Sequence, residues 1–140
     1  MLGQFSHIGV LVRDLPAAVR RFQTLFNATL VETGFLAESK TDVAVLDMGG
    51  VHLELLSSAD PDSKVGRLLR ERGEGIHHLS FEVDDIGRQL GSLAAQGVEL
   101  LDAKPRTGLH GRQIAFLSPQ DNGGILIELA QENRQAKETP

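Results

Sequence analysis

At 140 residues and 15.2 kDa the chain is long enough to bury a hydrophobic core and short enough to be one compact unit. Its 14 basic and 19 acidic residues give a formal charge of −5, with neither tyrosine nor tryptophan and no basic block, so no nucleic-acid partner is expected: phosphate capture needs clustered cations and base stacking needs flat rings. Cysteine is absent, which removes disulfides, thiolate metal sites and thiol nucleophiles, so any metal must be held by nitrogen and oxygen.

No run approaches the about 20 apolar residues that span a bilayer, and a strand pattern begins within the first few residues, where a leader would sit. The expectation is a soluble, cytoplasmic protein with no membrane partner.

In chain order, the run Phe5 to Val12 is β-branched and apolar and closes at Arg13-Asp14-Leu15-Pro16. Asp14 can cap a helix whose first turn tolerates Pro16, and Val19, Phe22, Leu25 and Phe26 recur at helical spacing up to Asn27. LVETGFL (30–36), TDVAVLDM (41–48) and VHLELLS (51–57) read as three strands, the last two joined by Gly49-Gly50, a pair suited to a hairpin turn. A polar stretch from Ser58 to Arg72 contains a short helical linker with Lys64, Arg67, Arg70 and Arg72 on its wetter sides.

The plan then repeats. HIGVLVRDL from His7 overlays HLSFEVDDI from His78 at an offset of 71 residues, and GGVHLELLS from Gly49 overlays GGILIELAQ from Gly123 at an offset of 74. Asp84 or Asp85 caps a helix carrying Ile86, Leu90, Leu93 and Ala94 that ends at Gly97; VELLD, QIAFLSP and ILIELAQ supply three more strands. The three extra residues are expected in the KPRTGLHG loop, and the tail 132–140, which has no apolar pattern, is expected to fray.

The expected fold class is therefore α+β: two tandem βαβββ modules, residues 4–57 and 73–131 around a linker at 58–72, forming one bent sheet with a concave, ligand-binding side within a single domain of residues 1–140.

With the repeats in register, His7 and His78 open the first strand of each half, and Glu54 and Glu128 stand in the last. Each glutamate lies among apolar neighbours, where an ionised carboxylate costs several kcal/mol unless compensated. Two imidazoles and two carboxylates converging would bind one divalent cation, with cobalt, manganese, nickel, zinc and magnesium all open. A lone histidine at a strand start is ordinarily structural, but duplication of both residue types in both halves favours ligands.

His77 faces away from His78 and is read as packing. His52 shares the face of Glu54 and either lines the pocket or is structural, and His110 either covers the pocket mouth or is solvated.

The paired modules with their H…E…H…E set resemble the vicinal oxygen chelate superfamily, over nearly the whole chain. RGEGIHHLSFEVDDI from Arg72, PRTGLHGRQIAFLSP from Pro105, GGILIEL from Gly123 and the HIGVLVRDL opening are similar to the methylmalonyl-CoA epimerase family within it.

That resemblance implies His7, Glu54, His78 and Glu128 as metal ligands, an acyl-CoA substrate inverted at C2 through an enolate, and a homodimer. Glu128 is implied as ligand and base. Some relatives carry a glutamate on the third strand; the register here puts Val43 there, with Asp42 facing the other side, so Glu54, His52, a water or a shifted Asp42 remain open as the second base. Ser57-Ser58 replaces the Glu-Pro of many relatives at a turn past the ligand. Lys104, Arg106 and Arg112 are available to the coenzyme A phosphates or are simply solvated. The same ligand set would also serve a glyoxalase I-like isomerase acting on a glutathione adduct, and a non-catalytic small-molecule binder is the alternative of a different class.

Overall fold

The computed structural model describes residues 3–133; the tail expected to fray lies outside them apart from its first two residues. The elements are β1 (Phe5–Leu11), α1 (Leu15–Phe26), β2 (Thr29–Leu36), β3 (Thr41–Met48), β4 (Val51–Ser57), α2 (Lys64–Arg72), β5 (Gly75–Glu82), α3 (Ile86–Ala95), β6 (Arg106–Thr107), β7 (Gln113–Leu117) and β8 (Ile127–Gln131). By backbone contacts they divide into two units, His7–His77 and His78–Pro140 with Met1–Ser6. The α+β class and the doubled βαβββ order are those expected from the repeat.

In the first unit the strands run β2-β3-β4-β1, antiparallel except for the parallel pair β1 and β4. Helix α1 forms where the sequence signals it: the Asp14 carboxylate accepts from Ala17 N at 3.0 Å, Pro16 sits in the first turn, and Asn27 ends the helix with a left-handed φ of 54°. Its apolar side, Leu15, Ala18, Val19 and Phe22, packs on Val12, Ala44, Leu46 and Leu55 of the sheet. The turn at Gly49-Gly50 needs positive φ at both positions (67° and 95°), and Asp47 Oδ1 accepts from Gly50 N at 2.8 Å to close it. The linker helix α2 is capped by Ser63 and buries Val65, Gly66 and Leu69. A Cβ on Gly66 would fall 2.2 Å from the Asp60 carbonyl, so that contact admits no side chain.

In the second unit β5-β8-β7-β6 repeat the arrangement, with β5 and β8 parallel. Asp85, not Asp84, caps α3 through Arg88 N at 3.1 Å. Ile86 and Leu90 of the helix pack on Ala115, Leu117 and Leu129. Both units thus place their helix against one sheet face, leaving the opposite face to the polar residues of the repeat.

Two expectations need correction. VELLD is not a strand: only Leu100 bridges to Leu117, and regular pairing resumes for two residues at Arg106 and Thr107. The Asp102 side chain itself accepts from Phe116 N at 2.9 Å, substituting for a ladder carbonyl, and Pro105 has no N–H to donate. The three extra residues are also not in the KPRTGLHG loop. Asp42 faces Ser57 and Gln113 faces Gln131, so β3 maps onto β7 at an offset of 71 and β4 onto β8 at 74, which puts the insertion in the turn between β7 and β8.

His77 is half-buried, and its imidazole pKa is lowered from 6.5 to about 4, first by burial and then by the nearby charges of Arg72 and Lys64. Because the folded form holds its proton less tightly than the unfolded chain, the stabilisation is complete above pH 6.5 and is lost as pH falls toward 4. Urea unfolding at pH 7.5 and pH 4.5 is expected to show a pH-dependent loss smaller by about 2 kcal/mol in His77→Gln than in the parent chain. Equal losses in both proteins would remove His77 as the cause.

Candidate metal-binding and catalytic site

Each unit brings one histidine and one glutamate of the repeat together. In the first, β1 pairs with β4 so that His7 lies beside His52 and Gly9 beside Glu54. His7 is buried, and its Nε2 stands 3.1 Å from Glu54 Oε2. In the second, His78 and Glu128 are buried with Nε2 3.7 Å from Oε2, and Ser80, which faces Glu128 in register, donates to its other oxygen, Oε1, at 2.8 Å. The Phe116 ring meets His78 edge-on at 5.7 Å between centroids.

The donor chemistry suits a cation. A carboxylate oxygen and an unprotonated imidazole nitrogen both present lone pairs, so each pair is suited either to a ring N–H donated to the carboxylate or to a metal ion held by both. Nitrogen and oxygen donors in equal number match a borderline divalent ion better than magnesium, which takes oxygen.

Register fixes which other side chains share these faces. Asp47 pairs with His52, Val45 with Glu54 and Val43 with Leu56, so Asp47, Val45 and Val43 stand on the face of Glu54 while Asp42 turns to the helix side. Val43, buried at 1 % exposure, therefore occupies the third-strand position as the sequence register had it, and Asp42 has not slipped into its place. His52 lies on the Glu54 face with its Nε2 3.9 Å from Asp47 Oδ2, both half exposed.

Sequence reasoning missed Glu32. Simple alternation along β2 would turn it to the helix side, but a bulge between Leu30 and Glu32 brings Glu32 opposite Val45, half-buried and on the face of Glu54. Sequence reasoning also assigned no role to Ser80, whose contact with Glu128 comes from strand pairing 48 residues away.

The basic residues named from the sequence differ. Arg106 is held on both sides, with Nε 3.1 Å from Asp102 Oδ1 and a terminal nitrogen 3.3 Å from Oδ2, and its guanidinium lies 5.6 Å from the centre of the Phe116 ring. It pairs with Ile114, two residues before Phe116, so it stands on the face of Glu128. Arg112 lines a small cavity with Ser6, Glu82, Ala130 and Glu132. Lys104 is exposed in the preceding loop. His110 is exposed at the apex of the Gly108–Arg112 turn with a left-handed φ of 56°.

Residues 6–116 match the Glyoxalase/Bleomycin resistance protein/Dioxygenase superfamily, and the chain belongs to it. Within that class the resemblance narrows. The chain is 32 % identical over 131 residues to the mitochondrial methylmalonyl-CoA epimerase of Homo sapiens, covering 93 % of this chain and 74 % of that protein. It is 30 % identical over 133 residues to the ethylmalonyl-CoA/methylmalonyl-CoA epimerase of Cereibacter sphaeroides, covering 94 % and 99 %. Among solved structures, a Streptomyces coelicolor methylmalonyl-CoA epimerase variant in complex with 2-nitronate-propionyl-CoA superposes with a TM-score of 0.86 at 32 % identity, covering 96 % of this chain and 97 % of that one.

Asp102 ties the irregular segment to β7 through a backbone bond as well as an ion pair. Asp102→Ala is expected to lower the urea-unfolding free energy by about 1–2 kcal/mol, and Arg106→Ala by less than about 1 kcal/mol, since only the former strands the Phe116 N–H. Equal losses would mean that the exposed ion pair, not the backbone bond, holds the segment.

Proposed function

We propose that this chain interconverts the C2 epimers of methylmalonyl-CoA, with His7, Glu54, His78 and Glu128 holding one divalent cation. The reading rests on one observation above all: a buried imidazole–carboxylate pair recurs at equivalent positions in both halves of a chain that resembles methylmalonyl-CoA epimerases over 93 % of its length. The proposed substrate class is acyl-CoA, the proposed assembly a homodimer and the proposed location the cytoplasm. Among the described residues no helix is long and apolar enough to cross a membrane.

The C2 proton of a malonyl thioester is acidic because the carbanion delocalises into the thioester as an enolate. A bound divalent cation would supply positive charge beside the oxygens on which that negative charge develops. Inversion then needs an acceptor on one face of C2 and a donor on the other.

Glu128 is proposed as one of these groups and Glu54 as the other, each doubling as a ligand. Val43 offers no proton-transfer group, and Glu54 is the first-half carboxylate that stands 3.1 Å from the buried His7. Glu32, on the same sheet face, is the control for that choice. Arg106, half exposed and oriented by Asp102, is proposed as the strongest anion contact for the coenzyme A phosphates, with Lys104 beside it in sequence. Arg112 is proposed as a further basic contact, and His52 is proposed to line the substrate side of the pocket.

The cobalt-loaded protein in deuterated water is expected to wash deuterium into C2 of methylmalonyl-CoA while interconverting its epimers. His78→Ala should lose at least 100-fold in this exchange yet unfold cooperatively, because the strand is held by its apolar face. Glu54→Gln should lose at least 100-fold in epimerisation and Glu32→Gln less than five-fold. The converse ranking would move the second base to Glu32, and failure of the parent chain to exchange with any divalent ion would remove the proposed function.

A further inference from the structure

The contact of Ser80 with Glu128 is not available from the equivalent position of the first half. Ser80 maps onto Gly9, which has no side chain to offer Glu54, so the two carboxylates are held differently although the ligand types are duplicated. Ser80 is fully buried and Glu128 nearly so, on adjacent parallel strands in direct register. The hydroxyl engages Oε1 at 2.8 Å, whereas Oε2 is the oxygen that faces His78 Nε2 at 3.7 Å. A buried carboxylate restrained at one oxygen cannot rotate freely about its last torsion, so its two oxygens become inequivalent.

We propose that Ser80 is a positioning residue that divides the labour of Glu128, keeping Oε2 for the ligand role beside His78 and reserving Oε1 for proton transfer. The proposal rests on the epimerase reading for the second of these roles and on geometry alone for the first. A hydroxyl suits the task chemically. It donates to Oε1 while the carboxylate is ionised and, by rotating its O–H, accepts from Oε1 once that oxygen has taken the C2 proton, so neither state of Glu128 is left with a buried unsatisfied group. An alanine offers neither bond, and the S–H of a cysteine of similar size offers both only weakly. The Phe116 ring, cross-strand from Glu128 and packed on His78, closes a further side of the pair with an apolar surface, which raises the value of a hydroxyl there.

The test compares the cobalt-loaded parent with Ser80→Ala and Ser80→Cys by steady-state kinetics on methylmalonyl-CoA and by the visible absorption bands of bound cobalt. Ser80→Ala is expected to lower kcat 10- to 100-fold with KM within three-fold, to shift the cobalt bands because Glu128 is free to reorient, and to bind cobalt within about ten-fold of the parent. Ser80→Cys is expected to fall between the two in both readouts, and it decides the matter if Ser80→Ala does not fold. A parent-like kcat together with parent-like cobalt bands in either variant would overturn the proposal, as would a change confined to thermal stability. If the parent itself does not turn over methylmalonyl-CoA, the epimerase reading falls. The cobalt bands then still show whether Ser80 holds Glu128: shifted bands keep the positioning role and unshifted bands end it.

Discussion

The constraint on which this structure depends is the placement of an ionisable carboxylate in the middle of an apolar strand. Glu54 and Glu128 each stand where alternation sends the neighbouring side chains into packed surroundings, with Leu55 and Leu129 fully buried beside them. An isolated carboxylate there would cost several kcal/mol, so something of opposite character must face it. In both halves that partner is the imidazole that opens the neighbouring portion of strand, His7 on β1 and His78 on β5. The parallel pairing of the first strand of each module with its last is what makes this possible, because it sets the strand carrying the histidine beside the strand carrying the glutamate.

Everything else in each unit serves that face. The helices α1 and α3, capped by Asp14 and Asp85 at equivalent points of the repeat, cover the other face with Val19 and Phe22 in one unit and Ile86 and Leu90 in the other. Because core and site occupy opposite faces of the same strands, side chains on the polar face vary without disturbing the core. Gly9 against Ser80 and Val45 against Phe116 are such positions, where the residues beside the two glutamates differ between the halves. Gly9 faces Glu54 where Ser80 faces Glu128. A duplicated fold has thus acquired unlike halves at its two carboxylates.

Much of this was legible in the sequence, for definite reasons. The helices announced themselves by cap residues and 3.6-residue spacing, the strands of the first half by β-branched runs between glycine and polar breaks, and the four ligand-type residues by recurrence at matched offsets. The details that failed all concern register. The bulge at Val31, which turns Glu32 onto the site face, has no glycine or proline to mark it. The VELLD run has the composition of a strand, but Asp102 bends back to bond the chain it would have paired with, a contact 14 residues away in sequence. The insertion between β7 and β8 emerges only when paired partners are compared in both halves, and Gln131, at the edge of the polar tail, closes β8 because its side chain accepts from Ile86 N at 2.8 Å. Long-range pairing decided each of these, and single-chain patterning does not encode it.

The central claim is that the two imidazole–carboxylate pairs serve one cation rather than two or none. Metal analysis of the purified chain after equilibration with cobalt and removal of excess tests it most directly. The account predicts one tightly held ion per chain, lost on replacement of His7 or of His78 alone. Two ions per chain, or one ion that survives either replacement, would show that the halves bind independently, and no retained ion would remove the cation from the account.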